Sequence, residues 1–530
     1  MVEFAQDFGK KFKEIGVAEF FRKNLHMLGY SGPIRSFTTI IHEFVTNSLD
    51  ACEEYGILPH IVIRVKRLGE KHYIVSCEDN GPGIPPEYVP KVFGSMLAGT
   101  KFHRYIQSRG QQGIGAVGAI LFSQMTTGKP VKIISSTGRK ASVVFLKVDI
   151  HANRAKILEQ HETDAEWHGT KIVAEFKDID YRKGEQSPFE YLRRTAIANP
   201  HARIVFYEPD GKKTVWERST AQVPPKPKEM KPHPLGLTAD DLLALAKTAK
   251  TSKVRTFLVN ALSRVSAKKA MEVLRIARVN PGKNPRELSY REVSRIVEAF
   301  KSVKLLSPPT EGLIPIGEEH LEKSLREVLK PDFVRAITRK PSTYRGGIPF
   351  QVEVAIAYGG GAGRRTEDGA KPEIMRFANR APLLFDTGAC AITQAVRSIN
   401  WRNYNLGDFE SAPLTIVVNV ISPYVPYMSA GKQAIAEDPD IVREIRLGLM
   451  EAARGLKRHI AGIYRAQLRK KKRSIFMKYI PVVSEALSKL TGKPEPMIRN
   501  KLVGIVEKKI EIPEETREKT EETEIKSTAG

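Results

Sequence analysis

Cysteine is scarce in this chain. Cys52, Cys77 and Cys390 are the only three in 530 residues, far apart and with no C-x-x-C pair. That argues against a disulfide framework and a cysteine-built zinc site, and fits a reducing compartment. No stretch approaches the ~18 uninterrupted apolar residues of a membrane span. Met1–Gly16 mixes both charges where a secretory leader has an apolar core. Neither membrane insertion nor secretion is therefore expected. Acidic residues are in deficit: 85 Lys+Arg against 60 Asp+Glu leave a net charge of +25. A surplus of that size points to a polyanionic partner, nucleic acid before others. The P-loop pattern G-x-x-x-x-G-K-[ST] is also missing. What remains is an ordinary globular composition, long enough for about three domains of ~150 residues.

Periodicity divides the chain. Phe37, Ile40, Ile41, Phe44, Val45 and Leu49 recur at three- and four-residue spacing and predict a helix over about Ser36–Tyr55. Strands are predicted at Ile61–Lys66, Tyr73–Cys77, Val131–Ser135, Ser142–Val148, Lys171–Phe176 and Arg203–Tyr207, with an apolar helix at Ile114–Phe122. Residues 1–221 thus read as an α+β domain with a largely antiparallel sheet. Clustered prolines mark 222–236 as a linker. Residues 237–306 are purely helical in pattern, with capping boxes at Thr238/Asp241 and Ser289/Glu292. Residues 307–475 carry strands at Phe350–Ala357 and Leu414–Val420, and a Gly-rich segment, Gly359–Arg365, that reads as a flexible hairpin. They end in a long helix, with Asp438 at the N-cap and Pro439 at its first position, running to about Lys472. Residues 476–530 form an extension whose Glu-rich last twenty or so are expected to be disordered.

Four segments of the first domain carry candidate chemistry. In Glu43–Ala51, Glu43 and Asn47 lie four apart on one helix and share a face, while Phe44 and Val45 turn to the core. A carboxylate beside a carboxamide suits a base and a metal ligand, and equally a plain polar face. Asp79–Ile84 (DNGPGI) follows a predicted strand. Its glycines let backbone approach a ligand, and Asp79 can accept from an exocyclic amino group, although D-N-G is also turn chemistry. Arg109–Ala116 (RGQQGIGA) sets glycines before a helix, where exposed N–H groups cradle anions. Gly113–Gly118 matches the letters of G-x-G-x-x-G. A dinucleotide fold needs a strand before it and an acidic residue after it, and neither is present, so that reading is rejected. The fourth segment is Trp167-His168-Gly169-Thr170, just before a strand.

In this order and spacing the four resemble the ATP-binding fold shared by DNA gyrase, the ninety-kilodalton heat-shock chaperone, sensor histidine kinases and the MutL repair protein. The resemblance implies a gyrase-type (Bergerat) ATPase α/β sandwich using ATP and Mg²⁺. It implies that Glu43 is the general base, that Asn47 holds Mg²⁺, and that Asp50 completes the same box. Asp79 would accept from the adenine amino group, with Gly81 and Gly83 making room for the base. Thr100, Lys101, Arg109, Gly110, Gln111, Gln112, Gly113, Ile114, Gly115 and Ala116 would form a lid over the phosphates, and Thr170 matches the family's Gly-Thr. Phe377–Leu383 (FANRAPL) resembles the transducer-domain signature of gyrase and MutL relatives. Lys432 stands where such proteins carry a lysine that reaches the γ-phosphate. Gyrase and MutL lack a helical module between these domains. A helix-two-turns-helix insert there resembles the B subunit of type IIB DNA topoisomerases, the topoisomerase VI family, over about residues 1–470.

That resemblance implies an ATP-dependent gate. Two copies homodimerise through their ATPase domains on binding ATP and drive double-strand passage that relaxes and decatenates double-stranded DNA. A separate A subunit cleaves, in an A2B2 heterotetramer, in archaeal cytoplasm at the nucleoid. The rival is a MutL-like repair clamp or a chaperone. Arg469–Arg473, Lys268 and Lys269 are candidate phosphate contacts or, equally, solvated helix faces. Of two Asp-x-Asp triplets, Asp438-Pro439-Asp440 reads as a helix cap. Asp178-Ile179-Asp180 has no glutamate strand to complete a two-metal site, so this chain alone is not expected to cut DNA.

Overall fold

The computed structural model describes residues 16–99, 104–110, 113–367, 369–429 and 431–510. The chain divides into two compact units, Met1–Arg402 with Asp408–Ala453, and Asn403–Gly407 with Arg454–Gly530. Among the described residues no helix is long and apolar enough to cross a membrane.

The first sheet has eight strands: β1 (His60–Gly69), β2 (His72–Glu78), β3 (Val131–Thr137), β4 (Lys140–Asp149), β5 (Arg154–Asp164), β6 (His168–Lys177), β7 (Arg203–Tyr207) and β8 (Lys213–Trp216). Their order is β5-β4-β3-β6-β2-β1-β7-β8, and every neighbouring pair is antiparallel except β1 with β7. Alternation sends Ile61, Ile63 and Val65 inward, as a one-sided sheet requires. Two strands escape the periodicity. β5 is exposed along nearly all its length and joins through backbone pairing to β4 alone, and β8 has only four residues.

After α1 (Val17–Lys23), α2 (Pro33–Glu54) covers this sheet with Phe37, Ile40, Ile41, Phe44 and Leu49 buried against it. It begins three residues before the predicted start, because Pro33 occupies the first-turn position proline favours. α3 (Val89–Gly94) is short. α4 (Gly115–Thr127) packs against α1, α2 and the sheet, which accounts for its apolar character all round. α5 (Pro188–Ala198) is capped by Ser187.

Four helices follow: α6 (Ala239–Lys247), α7 (Val254–Ala261), α8 (Ala267–Ala277) and α9 (Tyr290–Lys301). They enclose a core of their own that includes Phe257, Leu274, Ile296 and Phe300. Both predicted capping boxes are formed, with side chain and backbone reciprocally bonded.

α10 (Glu318–Leu329) leads into the second sheet: β9 (Phe333–Thr338), β10 (Ser342–Tyr344), β11 (Ile348–Tyr358), β14 (Glu373–Ala378), β15 (Ala381–Pro382) and β16 (Leu414–Ile421). β16 is buried at every position, between β11 antiparallel and β14 parallel. The Gly-rich stretch is not a flexible hairpin. Gly360 and Gly361 press on the backbone of Leu329–Pro331 and Gly359 on the Asp332 side chain, so a Cβ at any of them would meet a neighbour. The hairpin of β12 (Arg364–Thr366) and β13 (Gly369–Lys371) comes after them.

After α11 (Ala391–Arg397), α12 begins where predicted: Asp438 accepts from the Asp440 N–H at 3.0 Å, ahead of Pro439. It ends far later, at Thr491 rather than about Lys472. Its charged stretch Arg469–Arg473 blurs the apolar stripe without interrupting helix-forming residues. α13 (Glu495–Ile510), unforeseen, follows and exchanges an ion pair between Glu507 and Arg473. Of the tail expected to be disordered, 507–510 end this helix, and 511–530 lie outside the described residues.

Candidate functional site

A cleft of about 480 Å³ opens between α2, the turn after β2 and the start of α4. Glu43, Asn47, Asp79, Gly83, Gly110, Gly113, Ile114, Gly115, Ala116, Thr170 and Lys432 all line it. Thr100, Lys101, Gln111 and Gln112 lie outside the described residues.

At one end is Asp79. Its carboxylate accepts from the Ser48 hydroxyl at 2.8 Å, the Gly81 N–H at 2.9 Å and the Thr170 N–H at 3.1 Å. Burial pushes its pKa up, and these bonds only partly offset that. The ionised group is thus under-compensated, and a further donor from a ligand would stabilise it. Gly81 serves the turn more than the wall: its N–H orients Asp79, and it is not on the cleft surface. Gly83, at φ +75°, lies so close to the Ser136 carbonyl that a Cβ would overlap it. Gly169 bears the same relation to the Asp79 carbonyl, so β6 can close on the turn only with glycine there. Sequence reasoning missed Ser48, although it adjoins Asn47. It also missed Lys91, a second lysine on the wall, which no motif marks.

At the other end Glu43 meets the first turn of α4. A Cβ on Gly115 would fall on the Glu43 carboxylate, which would have to swing aside, so glycine there leaves the carboxylate against the helix terminus. That terminus presents backbone N–H groups with the positive end of the helix dipole. Asn47 donates its amide to the Glu43 carbonyl one turn back at 2.7 Å. Lys432, held at φ +51°, reaches in from the segment between β16 and α12 and donates to the Arg109 carbonyl at 3.2 Å.

Two of the sequence candidates sit elsewhere. The Arg109 guanidinium points away from the cleft into a buried cluster, pairing with Asp50 at 2.8 Å and Glu53 at 2.7 Å. Asp50 also accepts from the Gly110 N–H at 3.2 Å. Neither side chain is on the cleft wall. The loop expected over the phosphates thus keeps Gly110 and Gly113–Ala116 on the cleft, while the Arg109 charge is spent on two carboxylates and its carbonyl receives Lys432.

The described residues hold no trio of His, Cys, Asp or Glu side chains fit to bind a metal. An ion at Asn47 would have one protein oxygen and take the rest from ligand and water, a donor set that suits Mg²⁺.

Stretches of the chain match known families. Residues 32–152 match the family model described as histidine kinase-, DNA gyrase B-, and HSP90-like ATPase. Residues 308–472 match the model for the topoisomerase VI B subunit, transducer. The B subunit of type 2 DNA topoisomerase 6 from Pyrococcus horikoshii is 48% identical over 568 residues, covering 98% of this chain and 99% of that one. The B subunit of the enzyme of that name from Methanothermobacter thermautotrophicus is 49% identical over 499 residues, covering 93% and 95%. Likeness to solved structures is loose. The ATPase region of Saccharomyces cerevisiae topoisomerase II aligns at TM-score 0.39 and 11% identity over 86% of this chain and 99% of that one. With identity near one half over 93–98% of this chain, the repair-clamp and chaperone readings give way: the chain belongs to the family of type 2 DNA topoisomerase 6 B subunits.

Proposed function

We propose that this ATPase subunit of a type IIB topoisomerase binds and hydrolyses ATP in the cleft between α2 and α4. The observation that carries the reading is the pair of unlike groups on one cleft of about 480 Å³: a half-buried, under-compensated carboxylate at Asp79, and a helix N-terminus facing Glu43. The adenine amino group becomes the further donor to Asp79. Backbone N–H groups at Gly113, Ile114, Gly115 and Ala116 hold the phosphates, with Gly110 beside them and Thr100, Lys101, Gln111 and Gln112 completing the lid. Thr170 fixes Asp79 through its backbone. Asn47 would hold Mg²⁺, which offsets phosphate charge when bound. Glu43 takes a proton from the attacking water. Lys432 stabilises charge on the terminal phosphate from the second sheet.

On this reading 1–221 is the ATPase domain, 222–236 a linker, 237–306 the helix-two-turns-helix module, 307–475 the transducer and 476–530 an extension. Two copies dimerise through the ATPase domains when ATP binds and couple that closure to DNA passage. The partner is a separate A subunit, in an A2B2 complex in the archaeal cytoplasm, and the nucleophilic tyrosine is the A subunit's. The +25 charge supports DNA contact.

Glu43→Ala tests the site. ATP binding persists while turnover falls by ~10²-fold, the size of a lost general base. Wild-type turnover would remove Glu43 from the role. Asn47→Ala weakens Mg²⁺-dependent binding instead.

A further inference from the structure

Behind the cleft lies a second polar cluster that the chemistry above does not use. Glu53, at the last turn of α2, sits at its centre. Its carboxylate accepts from Arg109 through both terminal nitrogens, at 3.1 and 2.7 Å. It also accepts from His201 Nε2 at 2.8 Å and from Arg380 at 3.1 Å. Asn199 accepts from Arg109 and donates to the Arg380 carbonyl at 3.2 Å. All five residues are at most 5% exposed. With Asp50 the cluster balances two carboxylates against two guanidinium groups, so removing one of these four charges leaves the buried set out of balance.

The cluster joins the nucleotide loop to the second sheet. Arg109 and the adjoining Gly110 belong to the nucleotide loop, and the Arg109 carbonyl takes the Lys432 ammonium. Arg380 belongs to the second sheet. It stands with Asn379 at the tip of the β14–β15 hairpin, a two-residue turn with φ +48° and +67°. Such a turn favours glycine at its second central position. Arginine persists there because its neighbours hold it: Arg380 on Glu53, and Asn379 donating to the Ser108 carbonyl at 3.1 Å. From Arg380 the chain of bonds continues through Asn419, which accepts from the Arg380 N–H at 3.1 Å and donates to Glu353 at 2.9 Å.

We propose that Glu53 is a positioning residue for ATP hydrolysis. By gripping Arg109 and Arg380 together, it locks the nucleotide loop to the second sheet in the arrangement that delivers Lys432 to the phosphate end. The inference rests on ATP occupying the cleft. Its consequence is selective: the lock bears on a terminal phosphate within reach of Lys432 and leaves ADP unaffected.

The test uses the full-length chain, with affinities for ADP and a non-hydrolysable ATP analogue measured alongside kcat. Arg380→Gln removes only the second sheet's arm and leaves Glu53 paired with Arg109 and His201. Expected is unchanged ADP affinity, analogue affinity weakened about tenfold and kcat lowered about tenfold or more. Arg380→Lys recovers part of each. Glu53→Gln shifts the same way, and the double variant is no worse than Glu53→Gln alone, because both cut one link. A cluster that serves stability alone would lower Tm yet keep the wild-type analogue-to-ADP preference and kcat, and that result in Arg380→Gln overturns the proposal. If Glu53→Gln does not fold, the two Arg380 variants decide by themselves. Failure of the cleft reading looks different: Asp79→Ala would then bind ADP as the parent does.

Discussion

Glu43 and Asp50 stand on one helix, seven residues and nearly two full turns apart, at almost the same angle and about 10 Å apart along the axis. Their surroundings could hardly differ more. Glu43 borders the open cleft, facing a helix terminus that glycine allows to come close. Asp50 and its neighbour Glu53 are closed over by Arg109, with Arg380 completing the cover. Helical periodicity groups Asp50 with Glu43. The chain that returns sixty residues later separates them. One carboxylate is left open to the cleft, and the others are closed into the ion-pair cluster.

That contrast can be broken at either end. The largest effect belongs to the closed end: Glu53→Ala leaves Arg380 buried without its carboxylate and Arg109 with Asp50 alone, and costs ~3–5 kcal/mol in denaturant unfolding. Glu43→Ala, at the open end, changes stability by less than ~0.5 kcal/mol. Equal losses would erase the distinction. Next comes Gly115→Ala, whose methyl displaces the Glu43 carboxylate. Turnover falls about tenfold or more, since small misplacements of reacting groups are costly, while unfolding stays near the parent.

Acid separates two carboxyls by sign. Burial would raise the Glu53 pKa, but Arg109, Arg380 and His201 hold it well below its ordinary 4.5. Its stabilisation is therefore complete above pH 4.5 and drains away as the pH falls toward the folded value. Burial raises Asp79 instead. Its ionised form costs stability at neutral pH, and protonation relieves the cost. Asp79→Asn accordingly raises the Tm of the nucleotide-free protein at pH 7 while abolishing ATP binding. Glu53→Gln lowers Tm at pH 7 and flattens the acid limb. Opposite outcomes for the pair would reverse the assignment. The smallest effect is local: Ser289→Ala removes a capping box and costs ~1 kcal/mol by thermal unfolding.

Much of this was legible in advance. Strands with inward alternation, such as β1, and capped helices such as α6 and α9 announce themselves because burial and backbone satisfaction act over a few residues. β5 did not, for its partner is backbone on β4 and its side chains face water. The length of α12 was hidden by its cationic stretch, and α13 by a weakly patterned, largely exposed face. In the cleft, Asp79 and Gly115 could be picked out by motif, but Ser48 and Lys91 could not, since each gains its place only by proximity.

The order of the four motifs, the spacing of Glu43 and Asn47 and the helical insert were enough to indicate the family and its chemistry, because these rest on local geometry and on residue types that few other purposes require together. Which way the Arg109 guanidinium turns was not contained there. A guanidinium can serve a phosphate or a carboxylate equally well, and the choice fell to Glu53, His201 and Arg380, brought together from three separate parts of the chain by the packing of one sheet region on the other.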